Sequence, residues 1–171
     1  MTAPAFRMEP LSSGHDWSAF ACGEEALDRY FQTQATQDIR RRMANCFVAV
    51  EVGTGRVAGY YTLSSASIPM VDLPSEEVKR LPRYPSLPAV RIGRLAVDLG
   101  FQGRGLGAAL LADAAHRAIH ADVAAFTLLV DANGQGVAFY RRHGFQALAS
   151  QPMTLFLPLA TVARSSPVGR G

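Results

Sequence analysis

Gln102-Gly103-Arg104-Gly105-Leu106-Gly107 stands directly between a β-rich run, Ala89–Val97, and an alanine- and leucine-rich stretch patterned as a helix to about Ala121. Glycines without side chains let backbone N–H groups turn toward a ligand. A helix start at the same place adds unpaired donors and the positive end of the helix dipole. Arg104 brings a full charge to that point, and the combination reads as a cradle for a pyrophosphate. Three other readings compete. A nucleotide P-loop needs Gly-Lys-Ser/Thr, and Gly105-Leu106-Gly107-Ala108 has neither lysine nor hydroxyl. A dinucleotide site needs G-x-G-x-x-G early in a βαβ unit, whereas here the spacing is G-x-G-x-G after about ninety residues of other structure. The plainest alternative is a glycine turn that only permits tight packing of strand on helix.

Working outward, Phe6–Leu11 has the character of a first strand, and Ala26, Leu27, Tyr30, Phe31 and Ala35 recur at helical spacing up to Arg40-Arg41-Arg42. Cys46–Val50 and Val57–Leu63, with Gly53-Thr54-Gly55 between them, predict an antiparallel hairpin. Residues 69–88 hold five prolines and read as a long surface loop with one short helix. The helix after the glycine loop looks apolar nearly all round, with Asp113, His116, Arg117 and His120 as a narrow polar stripe. Phe126–Val130 predicts a buried strand and Val137–Tyr140 a short helix, with closing strands at Phe145–Leu148 and Met153–Leu159. The order β-α-β-β-loop-β-α-β-α-β-β is that of one mixed α/β domain over residues 1–163, with a disordered tail over 164–171.

The second half of the chain adds Asn133, Tyr140 seven residues later, and Gly144-Phe145. With the glycine loop these residues resemble the two motifs of the GNAT acetyltransferases, Q/R-x-x-G-x-G/A and N-x-x-A-x-x-x-Y-x-x-x-G-F. Gly136 stands where the family has a small residue, usually alanine. The resemblance implies an α/β GNAT (acyl-CoA N-acyltransferase) fold, a mixed, mostly antiparallel twisted sheet flanked by helices, with acetyl-CoA as cofactor. By that resemblance the backbone of Leu95, Ala96 and Val97 pairs with the pantetheine arm, and Gln102, Gly103, Arg104, Gly105, Leu106 and Gly107 bind the pyrophosphate. Asn133 contacts the pantetheine side, and Tyr140 gives a proton to the departing thiolate. A phenol with a reference pKa near 10 stays protonated at neutral pH and suits that task; the competing reading of Tyr140 is a core aromatic. No motif supplies a general base, Asp98 and Glu51 being the nearest candidates, so an α-amine, already partly neutral at pH 7, fits better than a lysine.

Phe20-Ala21-Cys22-Gly23 with Leu27-Asp28-Arg29-Tyr30-Phe31, Gly59-Tyr60-Tyr61-Thr62-Leu63-Ser64, and Leu81–Ala89 leading into Gly93-Arg94-Leu95-Ala96-Val97-Asp98 are similar to blocks of the TacT-like GNAT toxins of type II toxin–antitoxin modules. That narrower resemblance implies transfer of acetyl to the α-amino group of aminoacyl-tRNA, blocking translation. It also implies a ribbon-helix-helix antitoxin, operator DNA met only through the antitoxin complex, and a homodimer. Arg40, Arg41, Arg42, Arg91 and Arg94 are the side chains expected toward the tRNA backbone. The Arg40–Arg42 run also reads as a solvated helix end, and Arg94, on the central strand, as an internally held charge. Two alternatives stay open: a GNAT enzyme for a free small amine, and a non-catalytic partner in a repressor complex.

Composition fits these readings. Lysine appears once, at Lys79, among 17 basic residues, and the formal charge is +3. Arginine's planar fork suits phosphate, so an anionic partner is expected. Acidic residues number 14 and lie mostly singly, a poor match to a pocket for polycations. No run approaches the roughly 18 apolar residues of a membrane span, and Met1–Arg7 lacks a secretion pattern, so the cytoplasm is expected, with Cys22 and Cys46 reduced. His116 and His120 lack the glutamate of a zinc-protease motif and read as solvated, with no metal expected.

Overall fold

The computed structural model describes residues 5–132 and 134–165. In chain order its elements are β1 (Phe6–Pro10), α1 (Glu25–Arg29), a π-helical turn (Tyr30–Gln34), α2 (Ala35–Arg40), β2 (Asn45–Glu51), β3 (Val57–Pro69), a 3-10 turn (Met70–Asp72), α3 (Ser75–Val78), β4 (Ser86–Val97), a 3-10 turn (Leu99–Phe101), α4 (Leu106–Ile119), β5 (Thr127–Asp131), α5 (Gln135–Arg142), β6 (Gln146–Ala147), β7 (Thr154–Pro158) and α6 (Leu159–Ser165). The described chain forms two compact units, one of the residues up to Ser64 with Gly93–Ala114, the other of Ser65–Ile92 with the residues from Ala115 on. Strands β3 and β4 contribute to both.

In the first unit β1, β2 and the first half of β3 form an antiparallel meander, Phe6 opposite Glu51 and Asn45 opposite Leu63. The expected hairpin turn is present, with Gly55 at φ 74°. The helical segment is continuous from Glu25 to Arg40 but contains a π turn, the Ala35 N–H reaching back to the Tyr30 carbonyl. That extra residue in the turn brings Tyr30, Phe31 and Ala35 to one inward face. Phe31 stacks on Tyr60 at 4.4 Å and Phe20 meets both rings, so aromatic burial of about 1.5–3 kcal/mol per ring anchors this core. Trp17 packs against the same cluster, and Cys22 and Cys46 are buried free thiols.

Helix α2 ends in a Schellman turn. The Met43 N–H donates to the Asp38 carbonyl and the Arg42 N–H to that of Ile39, with Arg42 itself at φ 60°. Arg42 is the one non-glycine residue with positive φ among the described residues.

In the second unit β4 runs parallel to β5, Ala89 opposite Thr127 and Ile92 opposite Val130, while β7 lies antiparallel to β5 and to the short β6. One parallel pairing among antiparallel ones makes the sheet mixed, as expected. Residues 69–88 differ from the expected surface loop. Strand β3 extends to Pro69, β4 begins at Ser86, and Met70, Leu73 and Leu87 are buried with Ile68, Leu129 and Phe156. The prolines occupy turn positions, and the apolar residues spaced between them fill a core. Residues 159–165 form α6, where the sequence offered the end of a strand and the start of a tail; the remainder of that tail, 166–171, lies outside the described residues.

Helix α4 is not packed all round. Leu106, Leu110, Leu111, Ala114, Ala115 and Ala118 are buried, but Ala109 and Ala112 are exposed. Alanine is the best helix former and costs little in water, so its presence does not mark a buried face.

Candidate acetyl-CoA site

The glycine loop is held in shape from behind. The Asp98 carboxylate, 5% exposed, accepts from the Gly100 N–H at 2.9 Å and the Ala21 N–H at 3.1 Å, and Arg56 stands 3.7 Å away. The Gln102 side-chain amide donates to the carbonyls of Cys22 and Val97, both at 3.0 Å. Gln102 thus ties the loop to β4 and to the segment before α1. Gly103 and Gly105 adopt φ 79° and 78°, and a Cβ at either would meet open space. The constraint there is conformational, because L side chains avoid this region. Leu106 is buried and opens α4 with Gly107 in its first turn; the first amide bonded back is that of Ala109, to the Gly105 carbonyl. The amides before it are left to a ligand.

Arg104 is exposed, with its guanidinium 5.4 Å from the Phe101 ring; Arg56 lies over the same ring at 5.0 Å. Arg56 escaped the sequence reading because it sits in a hairpin turn far from the loop in the chain.

Strand β4 supplies an edge. Its pairing with β5 ends at Ile92. The Asp98 N–H donates to the Ala58 carbonyl, the Arg94 N–H to Thr62 Oγ1, and the Ala96 carbonyl faces Gly59, so residues 94, 96 and 98 turn their backbone groups to β3. By strand alternation Leu95 and Val97 present theirs on the other edge, where Gln102 already takes the Val97 carbonyl. Ala96 is held by β3 instead. Loop amides, an α4 start and a row of unpaired strand groups fit a pyrophosphate with an extended amide-bearing arm.

Tyr140 lies on α5, 8% exposed, its ring edge-on to Phe145 at 5.3 Å. Burial pushes its phenol up to about 12, and the hydroxyl has no hydrogen-bond partner among the described residues. Gly144 at φ 94° ends the helix, and the Phe145 N–H returns to the Tyr140 carbonyl, which explains the spacing of tyrosine to Gly-Phe. A Cβ at Gly136 would meet Ala132 at an ordinary 3.8 Å, so the departure from alanine there costs the packing nothing. Asn133 lies outside the described residues.

Residues 19–154 match the Acetyltransferase (GNAT) domain family. The chain belongs to the GNAT acetyltransferases. A probable toxin TacT of Sinorhizobium fredii is 32% identical over 91% of this chain and 92% of its own length. A tRNA-acetylating toxin of Mycobacterium tuberculosis is 34% identical over 86% and 88%. Among solved structures, AtaT complexed with acetyl-methionyl-tRNAfMet superposes with a TM-score of 0.83 at 30% identity, covering 93% of this chain and 98% of that one. A mutant AtaT toxin bound to the C-terminus of the antitoxin AtaR and acetyl-CoA gives 0.77 at 27% identity, covering 94% and 98%. The KacTA–DNA complex gives 0.72 at 28% identity, covering 93% and 96%.

As a GNAT enzyme the protein uses acetyl-CoA. The two carboxylates considered as bases are committed elsewhere: Asp98 to the loop, and Glu51 to the Thr54 hydroxyl at 2.6 Å. The five arginines fall into three settings. Arg40, Arg41 and Arg42 are exposed at the end of α2. Arg91 is paired with Asp131. Arg94 is half-buried, its guanidinium 3.6 Å from the Tyr30 ring centroid. The His116 and His120 rings lie 4.2 Å apart and tilted at the end of α4, and no group of three metal-ligating side chains occurs among the described residues. No described helix is long and apolar enough to cross a membrane.

Proposed function

We propose that this acetyltransferase is the toxin of a toxin–antitoxin module and acetylates the α-amino group of aminoacyl-tRNA. The observation that carries the reading is the likeness, at 30% identity over 93% of the chain, to AtaT in complex with an acetylated aminoacyl-tRNA. Acetyl-CoA, when bound, supplies an activated acetyl thioester. The amides of Gly103, Arg104, Gly105, Leu106 and Gly107 and the charge of Arg104 hold its pyrophosphate, with Gln102 shaping the loop. The edge groups of Leu95 and Val97, beside Ala96, align its arm, and Asn133 completes that contact. Tyr140 keeps its proton at neutral pH and delivers it to the leaving sulfur. With Asp98 and Glu51 committed, the acceptor arrives as a neutral amine, a form an α-amino group partly holds at pH 7 and a lysine scarcely does, and the proton it sheds on acylation passes to water or a backbone carbonyl. Arg40, Arg41, Arg42, Arg91 and Arg94 draw the tRNA by its phosphates. A ribbon-helix-helix antitoxin restrains the toxin, operator DNA is met through that complex, and the protein works as a cytoplasmic homodimer.

The test is labelled acetyl-CoA offered with total aminoacyl-tRNA and, separately, with polyamines. Label on the RNA fraction is expected. Transfer to polyamines alone refutes the tRNA reading in favour of a small-amine GNAT enzyme.

A further inference from the structure

Arg94 is fixed at both ends and satisfied at neither edge of its guanidinium. Its backbone N–H donates to the Oγ1 of Thr62, a residue only 1% exposed, at 3.0 Å. Its guanidinium carbon stands over the Tyr30 ring at 3.6 Å, and the hydroxyl of that tyrosine donates to Asp38 at 2.7 Å while its backbone sits in the π turn. Yet among the described residues Arg94 has no ion-pair partner, and its side chain makes no hydrogen bond. A half-buried guanidinium that has given up part of its water usually regains it through a carboxylate. Here the ring supports one face, worth about 0.5–2 kcal/mol, and the Asp38 carboxylate, already taken by the Tyr30 hydroxyl, acts on the guanidinium only across space, without a direct bond to its N–H fork. That rigid fork matches two oxygens of a phosphate, which a lysine point charge does not.

The next residue, Leu95, presents its backbone at the open edge proposed for the cofactor arm. The backbone of Arg94 is therefore one residue, about 3.4 Å of strand, from the acetyl donor's proposed path, and its side chain carries the fork out from the strand beside Tyr30. We propose that Arg94 binds the last phosphodiester of the acceptor, the one immediately 5′ of the terminal nucleoside that carries the amino acid. It is thereby a specificity residue for an amine attached to a 3′-terminal nucleotide, while exposed Arg40–Arg42 serve the more distant backbone. This assignment rests on the aminoacyl-tRNA reading above.

The experiment compares two small acceptors, aminoacyl-adenosine and its 5′-phosphorylated counterpart, with acetyl-CoA as donor. The wild-type protein is expected to prefer the phosphorylated acceptor by about tenfold to a hundredfold in kcat/KM, the range of a charged hydrogen-bonded pair. Arg94→Ala collapses that ratio to about one, and Arg94→Lys restores only part of it. Arg94→Met, which keeps the stem packed on Tyr30 without the fork, gives the same collapse if the alanine variant folds poorly. A ratio that survives in both Arg94→Ala and Arg94→Met overturns the assignment. If it survives while KM for acetyl-CoA rises, the fork belongs to a phosphate of the cofactor. A wild-type protein that acetylates neither acceptor nor charged tRNA overturns the tRNA reading itself, and this assignment with it.

Discussion

Gly59→Ala isolates the packing behind the cofactor loop. Gly59 has no positive φ, so alanine in a strand would ordinarily gain about 0.5–1 kcal/mol from reduced chain entropy. At this position its Cβ would stand 2.9 Å from Leu110 Cδ1, 3.0 Å from the Ala96 carbonyl oxygen and 3.5 Å from Leu106 Cδ2. Comfortable contacts begin near about 3.5 Å, so two must open by roughly half an ångström. One of them is backbone and cannot rotate away. Overpacking of this kind costs about 1–3 kcal/mol, which outweighs the entropic gain and leaves a net loss of about 1–2 kcal/mol. The displaced atoms matter more than the energy: Leu106 closes the glycine loop, and Ala96 lies between Leu95 and Val97. Urea unfolding should show the midpoint falling with unchanged slope, and KM for acetyl-CoA should rise about tenfold, since sub-ångström misplacement of a binding edge is costly. A variant as stable as wild type with an unaltered KM would refute the claim that close approach of β4 and α4 demands glycine here.

Tyr140→Phe should lower kcat by about 10²–10⁴-fold while leaving KM for acetyl-CoA within a few fold, as read by steady-state kinetics. Because burial holds Tyr140 protonated up to about pH 12, the wild-type rate should rise as the acceptor amine loses its proton and stay flat past pH 10. Arg42→Gly should stabilise the fold by about 1 kcal/mol in chemical unfolding by relieving the left-handed backbone, yet weaken binding to tRNA at low salt. Cys46, buried, has its thiol raised from 9.0 to about 12, so the fold holds that proton more tightly than the unfolded chain. Stability from this group is full below pH 9 and is lost between there and about 12, amounting to about 2 kcal/mol by pH 10.5; in urea titrations, Cys46→Ala should lose correspondingly less between pH 8 and 10.5.

The sequence carried those parts of the site that depend on local backbone geometry. Gly103, Gly105 and Gly144 take positive φ, so the motifs built on them were legible as glycine. Helical spacing found the α1–α2 segment but not its π turn, which changes the period by one residue. What stayed hidden depends on partners far along the chain. Gln102 reads as a ligand contact, and only the fold brings Cys22, 80 residues away, to its amide. The role of Tyr30 beneath Arg94 has the same origin. Proline spacing over 69–88 masked a buried stretch because proline marks where a chain turns, not whether its neighbours are covered. Arg91 and Arg94 looked alike on one strand; only the carboxylate beside one and the ring beneath the other separate them.

Strand β4 parts from β5 at Ile92, and this has a consequence for how the protein survives in a cell. Unpaired strand groups are a template for another chain to add itself, a route to aggregation. A ligand that pairs with Leu95 and Val97 removes the template while contributing its own binding free energy to folding, about 2.7 kcal/mol at a hundred times its Kd. With acetyl-CoA seated on that edge as proposed, its supply would govern the lifetime of the folded protein as well as its turnover, and a starved chain, slow to react, would also be the one most exposed to self-association.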